Sequence, residues 1–432
     1  MIACVSVLLA LLYSVDVTGQ TPSGGETGTL QQLIDAAQPG ETIQLKAGEY
    51  RENLVIDKPL HLMGTDNVTL VNKGDRPTLT LEANQVKIEN LTIIHESRDS
   101  PAILVLGDHN TLHNLKIYTN SFGLRLDEAQ HNTMTHLAIE GDKRASFTER
   151  KHGIDLWRSH HNEIDATQIK YVTDGIYMEK SKNNRLRGNT VAYSRYGYHL
   201  MFTENTLLEA NEAHHNVSGM MIMGTVGTVA KHNKLYNNHL NVRSLGLYLF
   251  DVKQAHISHN HILNNRVGIL IEDSQQNELT QNVVRSNYLG LQFIKARDNH
   301  IYQNAFVANV VQGQAEESHH NIVEHNYWGD HVGLDLNGDG TSNLPYSVDP
   351  FFLKITDQYP PFQLFFHSPG LIFLENLIHI PFDQQLIDQA PLLENPLIES
   401  DKTADTPLIT LLVCSALLLI STLLIYQGVR IK

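Results

Sequence analysis

The sequence predicts an all-β chain: a right-handed parallel β-helix with coils of about 22 residues, an N-terminal cap, a C-terminal amphipathic helix and one C-terminal transmembrane helix. Two periodic columns and one apolar run carry that expectation. Glycine opens a short apolar strand at Gly123 (GLRL), Gly153 (GIDL), Gly175 (GIYM), Gly197 (GYHL), Gly219 (GMMI), Gly246 (GLYL), Gly268 (GILI) and Gly290 (GLQF), at spacings of 30, 22, 22, 22, 27, 22 and 22. Asparagine keeps step nine residues later at Asn132, Asn162, Asn184, Asn277, Asn299 and Asn321, with Asn110 one repeat earlier. Thr206, Ala255 and, after an insertion, Asn233 take the remaining slots. A period of 22 with several short strands is too short for a helix pair, and the strict pattern of a leucine-rich repeat is absent.

Each coil should add about 4.8 Å, the spacing of hydrogen-bonded strands. Stacked asparagines can satisfy one another's amides, and glycine admits sharp bends between strands. The His-Asn pairs at His109, His131, His161, His232 and His320 are therefore read as turn residues rather than as a metal-binding ladder.

Domain organisation follows from the ends inward. Residues 1–19 contain the apolar run VSVLLALLYSV and read as a signal peptide, with a buried N-terminal strand as the alternative. Residues 20–350 form the β-helix and its cap: TLQQLIDAAQ reads as a short amphipathic helix, Pro-Gly as a turn, and TIQL as the first strand, near Glu41. Residues 351–406 hold an apolar helix at 371–380 (LIFLENLIHI) between proline-rich linkers, suited either to docking or to sealing the solenoid's end. Residues 407–427 contain 19 uncharged residues, enough to cross a bilayer core, and 428–432 form a tail. Arg430 and Lys432 follow that span while Asp401 and Asp405 precede it, which places the body outside the cell or in the periplasm, anchored to the cytoplasmic membrane. Cys4 and Cys414 both lie in the apolar ends, so the body has no intrachain disulfide.

The formal charge of −15, with 47 acidic against 32 basic residues, argues against a nucleic-acid partner, whose phosphates need clustered Lys and Arg. No Gly-rich phosphate loop, spaced cysteine pair or serine elbow occurs. The loop DLNGDG carries Asp335, Asn337 and Asp339 like the start of a calcium loop, but Tyr346 stands where a bidentate Glu belongs. A plain Asn-Asp-Gly turn is favoured there, with structural calcium as the alternative.

The stretch YGYHLMFTENTLLEANEAHHNVSGMMIMG, residues 196–224, holds four of the chain's eight methionines and three histidines. In each strand the first and third residues after glycine are apolar (Ile176 and Met178, Tyr198 and Leu200, Met220 and Ile222, Leu247 and Leu249) and should face the core. The second and fourth then face outward. On that outer face His199 should stack beside Met221, and Met201 beside Met223, making a soft N/S patch suited to Cu(I), flanked by Tyr177, Tyr248 and Phe250. A methionine-rich docking patch without metal is the plainer alternative. Insertions are expected between Asn132 and Gly153 and between Gly219 and Asn233, as loops on a rigid scaffold.

LQQLIDAAQPGETIQLKAGEY, the central YGYHLMF coil, NYWGDHVGLDLNGDGTSNLPY and HSPGLIFLENLIHIPF, continuing to APLLENPLIE, resemble the NosD family, exported β-helix proteins required for maturing the copper centres of nitrous oxide reductase. That resemblance implies no catalysis of its own, an ABC-type complex with a permease and an ATP-binding subunit, and traffic with a copper chaperone lipoprotein and the apo-reductase. It also implies transiently bound copper near His199, Met201 and Met223, with Met221 less securely matched. A second class stays open, because parallel β-helices host polysaccharide lyases, hydrolases and epimerases. Arg125, Asp127, Asp155 and Glu179 fall near one another in the register and could serve acid/base work. A surface adhesion scaffold is the third option.

Overall fold

The computed structural model describes residues 14–17, 29–241, 243–348 and 386–397, together with 355–356, 358–359, 361–362, 415, 417 and 421. The chain divides into two units, Met1–Glu394 and Asn395–Lys432, and the solenoid belongs to the first. A 12-stranded parallel sheet takes one strand from each coil, from Leu54–Ile56 to Val311–Glu316, and forms what is called here the front sheet. The other strands pair in parallel within a 25-stranded sheet along the remaining sides, so the fold is a parallel β-solenoid. Inward residues form one continuous core: Ile176, Met178, Leu200, Ile222 and Leu249 are fully buried. Each such side chain contributes about 1.5–3 kcal/mol by leaving water.

Glycine has a different job from the one expected. None of the glycines opening the front strands has a left-handed φ. Their role is close approach: a Cβ on Gly197 would stand 2.5 Å from the carbonyl oxygen of Gly219, and one on Gly219 equally close to that of Gly246. Left-handed turn positions are held by glycine at Gly188, Gly224 and Gly227 and mostly by other residues, among them His109, His131, His161, His232 and His320, with φ between 56° and 58°. His109, His131 and His161 stack as parallel rings 4.9 and 4.8 Å apart, which agrees with their reading as turn residues.

The asparagine column is one of three. A second runs Asn189, Asn211, Asn233, Asn260, Asn282, Asn304, Asn326, and a third runs Asn216, Asn238, Asn265, Asn287, Asn309. In each rung one side-chain oxygen accepts from the backbone N–H of the preceding coil, as Asn233 does from Asn211 at 2.9 Å, while the amide donates to a carbonyl, here Leu208 at 3.0 Å. Buried amides are thereby satisfied along the second and third columns, while in the first Asn110 Nδ2 and Thr206 Oγ1 have no hydrogen-bond partner. Asn233 thus belongs to the second column, and the slot assigned to it in the first is held by Thr228, buried one repeat after Thr206.

That correction moves the second insertion. Lys234–Tyr236 still pairs with Glu212–His214 at a spacing of 22, and Leu245–Phe250 pairs with Ser218–Met223 at 27. The five extra residues therefore follow Asn238 and leave the methionine strand uninterrupted. The first insertion lies where expected, between Glu140 and Gly153.

Both ends of the core are closed. The helix Leu30–Ala36 starts with a Thr29/Gln32 capping box, buries Leu30 and Ile34, and presents its first N–H groups to Glu52. At the other end Leu386–Asp388, inside the stretch read as linker, pairs antiparallel with Tyr346–Val348. Asp388 accepts from the Asn326 backbone and side chain and from the Trp328 indole at 2.9–3.1 Å, ending the second asparagine column. Ser14–Val17, within the segment read as a signal peptide, pairs in parallel with Thr42–Leu45, the arrangement of an N-terminal strand. The rest of 1–19, the helix at 371–380 and, apart from positions 415, 417 and 421, the span at 407–427 lie outside the described residues. Among the described residues no helix is long and apolar enough to cross a membrane.

Candidate functional site

The front sheet carries two outward rows in strict register. One runs Arg125, Asp155, Tyr177, His199, Met221, Tyr248; the other Asp127, Trp157, Glu179, Met201, Met223, Phe250. The four sequence-selected residues are therefore neighbours on two adjacent strands, His199 beside Met221 and Met201 beside Met223. Their depths differ: His199 and Met221 are each only 7% exposed, while Met201 and Met223 are half-exposed. Aromatic neighbours explain the cover. Tyr177 and Tyr196 meet the His199 ring edge-on at 5.0 and 5.2 Å, and Tyr248 stands next to Met221 in the row.

His199 is held by a cluster absent from the sequence-based selection. Its Nδ1 lies 2.8 Å from Asp174 Oδ2, and Arg195 grips the same carboxylate with two bonds of 2.8 and 2.7 Å. His152 approaches it at 3.5 Å and stacks on Tyr177 at 4.6 Å. Burial alone would raise the Asp174 pKa, but hydrogen bonds from His199 and Arg195 and the charge of His152 hold it below the usual carboxylate value. Burial pushes His152 down to about 4, against the pull of Asp174. An imidazole that gives its Nδ1 proton to a fixed carboxylate presents Nε2 as its lone-pair donor when neutral. The Nε2 of His199 is buried and has no hydrogen-bond partner.

The patch edge is polar on one side. The Tyr177 hydroxyl donates to Glu179 at 2.8 Å and lies 3.4 Å from the Met201 sulfur. On the other side the Tyr248 hydroxyl donates to Glu272. Both phenols are displaced upward, by burial first and then by those carboxylates, so they stay protonated.

The carboxylate and guanidinium set read as an alternative site also gathers. Arg125 lies 3.8 Å from Asp127 and 3.9 Å from Asp155, and burial lifts Asp155 to about 6 despite Arg125. The DLNGDG carboxylates are engaged internally: Asp335 accepts from the N–H groups of Asn337, Gly338 and Gly340, and Asp339 from Thr341. That is the geometry of a plain turn. Among the described residues no group of three or more His, Cys, Asp and Glu side chains is arranged to hold a metal ion.

A sequence signal for the missed cluster exists but is faint. His152 and Asp174 are the residues immediately before their glycines, and Tyr196 repeats that slot. Arg195 precedes it by one.

A family model described as periplasmic copper-binding protein (NosD) matches residues 136–339, the part of the chain that contains both outward rows from Asp155 onward. No curated protein matches the chain significantly. Among solved structures, the A-module of mannuronan C-5 epimerase AlgE6 from Azotobacter vinelandii is 14% identical, with 70% of this chain and 92% of that one covered and a TM-score of 0.47. Polygalacturonase from Erwinia carotovora ssp. carotovora is 12% identical, covering 60% of this chain and 91% of that one at a TM-score of 0.46. Identities this low carry nothing about activity.

Proposed function

Because the chain belongs to the NosD family, we propose that it is a periplasmic, non-catalytic accessory protein that takes Cu(I) from a chaperone lipoprotein, holds it at His199, Met201, Met221 and Met223, and presents it to apo nitrous oxide reductase. Its partners in that role are an ABC permease and ATP-binding subunit at the cytoplasmic membrane. The observation that carries the proposal is the buried, unpartnered Nε2 of His199, oriented by Asp174 and bordered by thioethers. Oriented imidazole plus thioether is a soft donor set, better matched to Cu(I) than to Zn(II) or Ca(II). Copper is cargo here. The half-exposed Met201 and Met223 receive it from solvent or a partner, and the deeper His199 and Met221 retain it.

The test is anaerobic Cu(I) titration of the full-length chain with copper X-ray absorption. The wild type should show sulfur and nitrogen ligation, and His199→Ala with Met201→Ala should lose the sulfur-ligated copper without loss of fold. Unchanged affinity and spectrum in that double variant would refute the site. A carbohydrate-active second reading is supported by one observation, the Asp155 carboxyl poised at about 6 beside Arg125, suited to general acid/base work. Turnover of a polysaccharide panel by the wild type and not by Asp155→Ala would make it the main function.

A further inference from the structure

His214 and His215 are consecutive, yet their rings meet on one side of the chain. His214 closes the strand Glu212–His214, where successive side chains alternate. His215 follows with a φ of 55°, and this left-handed turn swings its side chain back beside its neighbour. The two Nδ1 atoms converge to 2.9 Å, with the ring planes at 86°. Tyr236 stacks on His214 at 4.9 Å, and Tyr193 lies 5.4 Å from His215. Glu212, the nearest carboxylate on the strand, is engaged with Lys234 at 3.2 Å. Two convergent ring nitrogens thus sit between the Tyr193 and Tyr236 rings, and no third His, Cys, Asp or Glu among the described residues completes a metal-holding set.

We propose that His214 and His215 form a second Cu(I) site, two-coordinate through both Nδ1 atoms and separate from the His199 patch. Cu(I) as the ligand follows from the copper reading above; the geometry of the pair does not depend on it. A soft monovalent ion accepts two imidazoles, whereas Zn(II) requires about four ligands. The proton shared between the Nδ1 atoms transfers through solvent to Nε2 of its own ring, so each imidazole stays neutral and the copper stays Cu(I). The nitrogens then open from 2.9 Å to about 4 Å, twice a metal–imidazole bond of about 2.0 Å, by rotation of two half-exposed rings. His215 stands three residues before the strand Ser218–Met223, so the pair begins the turn of chain that the methionine patch completes. That is the place for a loading station.

The fold itself supplies the control variant. The next coils carry Tyr236 then Leu263 in the His214 register, and Asn237 and Asn264 follow them with φ of 56° and 53°. His214→Leu with His215→Asn therefore copies a pair that the solenoid already accommodates. Full-length protein is titrated anaerobically with Cu(I) against a chromophoric Cu(I) chelator, and copper X-ray absorption is recorded. In the His199→Ala/Met201→Ala background a nitrogen-only, two-coordinate copper should remain. Adding His214→Leu/His215→Asn should lower the stoichiometry by one and remove that spectrum, with the unfolding midpoint held. An unchanged stoichiometry and spectrum would overturn the site and leave a hydrogen-bonded pair, as would Zn(II) bound by the pair as tightly as Cu(I). Failure of the His199 patch alone reads differently: wild-type sulfur scattering is missing while the nitrogen-only copper stays.

Discussion

Asp155 and Asp174 stand on neighbouring strands of the front sheet, and both are shielded from water, at 6% and 0% exposure. Their proton affinities are nevertheless displaced in opposite directions. Asp155 is lifted to about 6 by burial, because its one cation, Arg125, stays 3.9 Å away and does not hold it as Arg195 holds Asp174. Asp174 is deeper, yet it is held below the usual carboxylate value by two bonds from Arg195 and one from His199. Burial sets the cost of a charge, and the partners decide whether the charge is kept. A carboxylate kept charged can orient a histidine; one left near 6 can exchange a proton.

The largest expected effect comes from removing the better-held charge. Asp174→Ala leaves the Arg195 guanidinium and the His199 Nδ1 without their acceptor; a hydrogen bond to a charged group is worth about 1.5–3 kcal/mol, and the share of Arg195, 38% exposed, is discounted because water takes up its charge. A lowered urea midpoint would measure the loss. Asp174→Asn keeps the shape and should cost less stability, yet weaken Cu(I) binding at the His199 patch by about 10–100-fold through misorientation of the ring. Equal Cu(I) affinity in wild type and Asp174→Asn would break the link between the charge and the histidine.

Asp155→Asn should act in the opposite direction and depend on pH. The folded state raises this pKa from 3.8 to about 6, so the folded form binds the proton more tightly. Its stabilising share is complete below pH 4 and is lost as pH rises through 6. At pH 8 the ionised Asp155 therefore costs up to about 3 kcal/mol, at 1.4 kcal/mol per unit. The Asn variant should gain that much at pH 8 and nothing at pH 4. Parallel stability–pH curves for the two proteins would show that Asp155 is not displaced.

The sequence made the inward positions legible because a repeat of 22 and an alternation of two must agree at every coil, and Tyr198, Leu200, Met220 and Ile222 satisfy both. It also made the pairing of His199 with Met221 legible, since no insertion separates their strands. The second and third asparagine columns were visible too. Asn184, Asn189, Asn211, Asn216, Asn233 and Asn238 show a spacing of five within the coil. Reading that spacing would have put Asn233 in the second column and the insertion after Asn238. What the sequence hid is the Asp174 cluster, because Asp174, Arg195 and His152 come from three successive coils, and the slot before each glycine shows no repeating residue type, holding Phe122, Ser218 and Val267 in other coils. Closure at Asp388 was hidden for a related reason: it depends on a segment 62 residues from Asn326.

The smallest effect should come from the weaker cation. Arg125 is a third exposed, reaches Asp155 and Asp127 only at 3.9 and 3.8 Å, and rests over the Phe122 ring at 5.8 Å. Water screens such contacts, so Arg125→Gln should change stability by less than about 1 kcal/mol. Its charge still lowers the Asp155 pKa, so the substitution should raise that pKa further above its ordinary value. Carboxyl NMR titration of Asp155 in both proteins measures the shift directly. A stability loss comparable to that of Asp174→Ala would mean that Arg125 grips Asp155 as Arg195 grips Asp174, and the contrast between the two aspartates would disappear; a pKa that falls would mean that Arg125 does not favour the charged carboxylate at all.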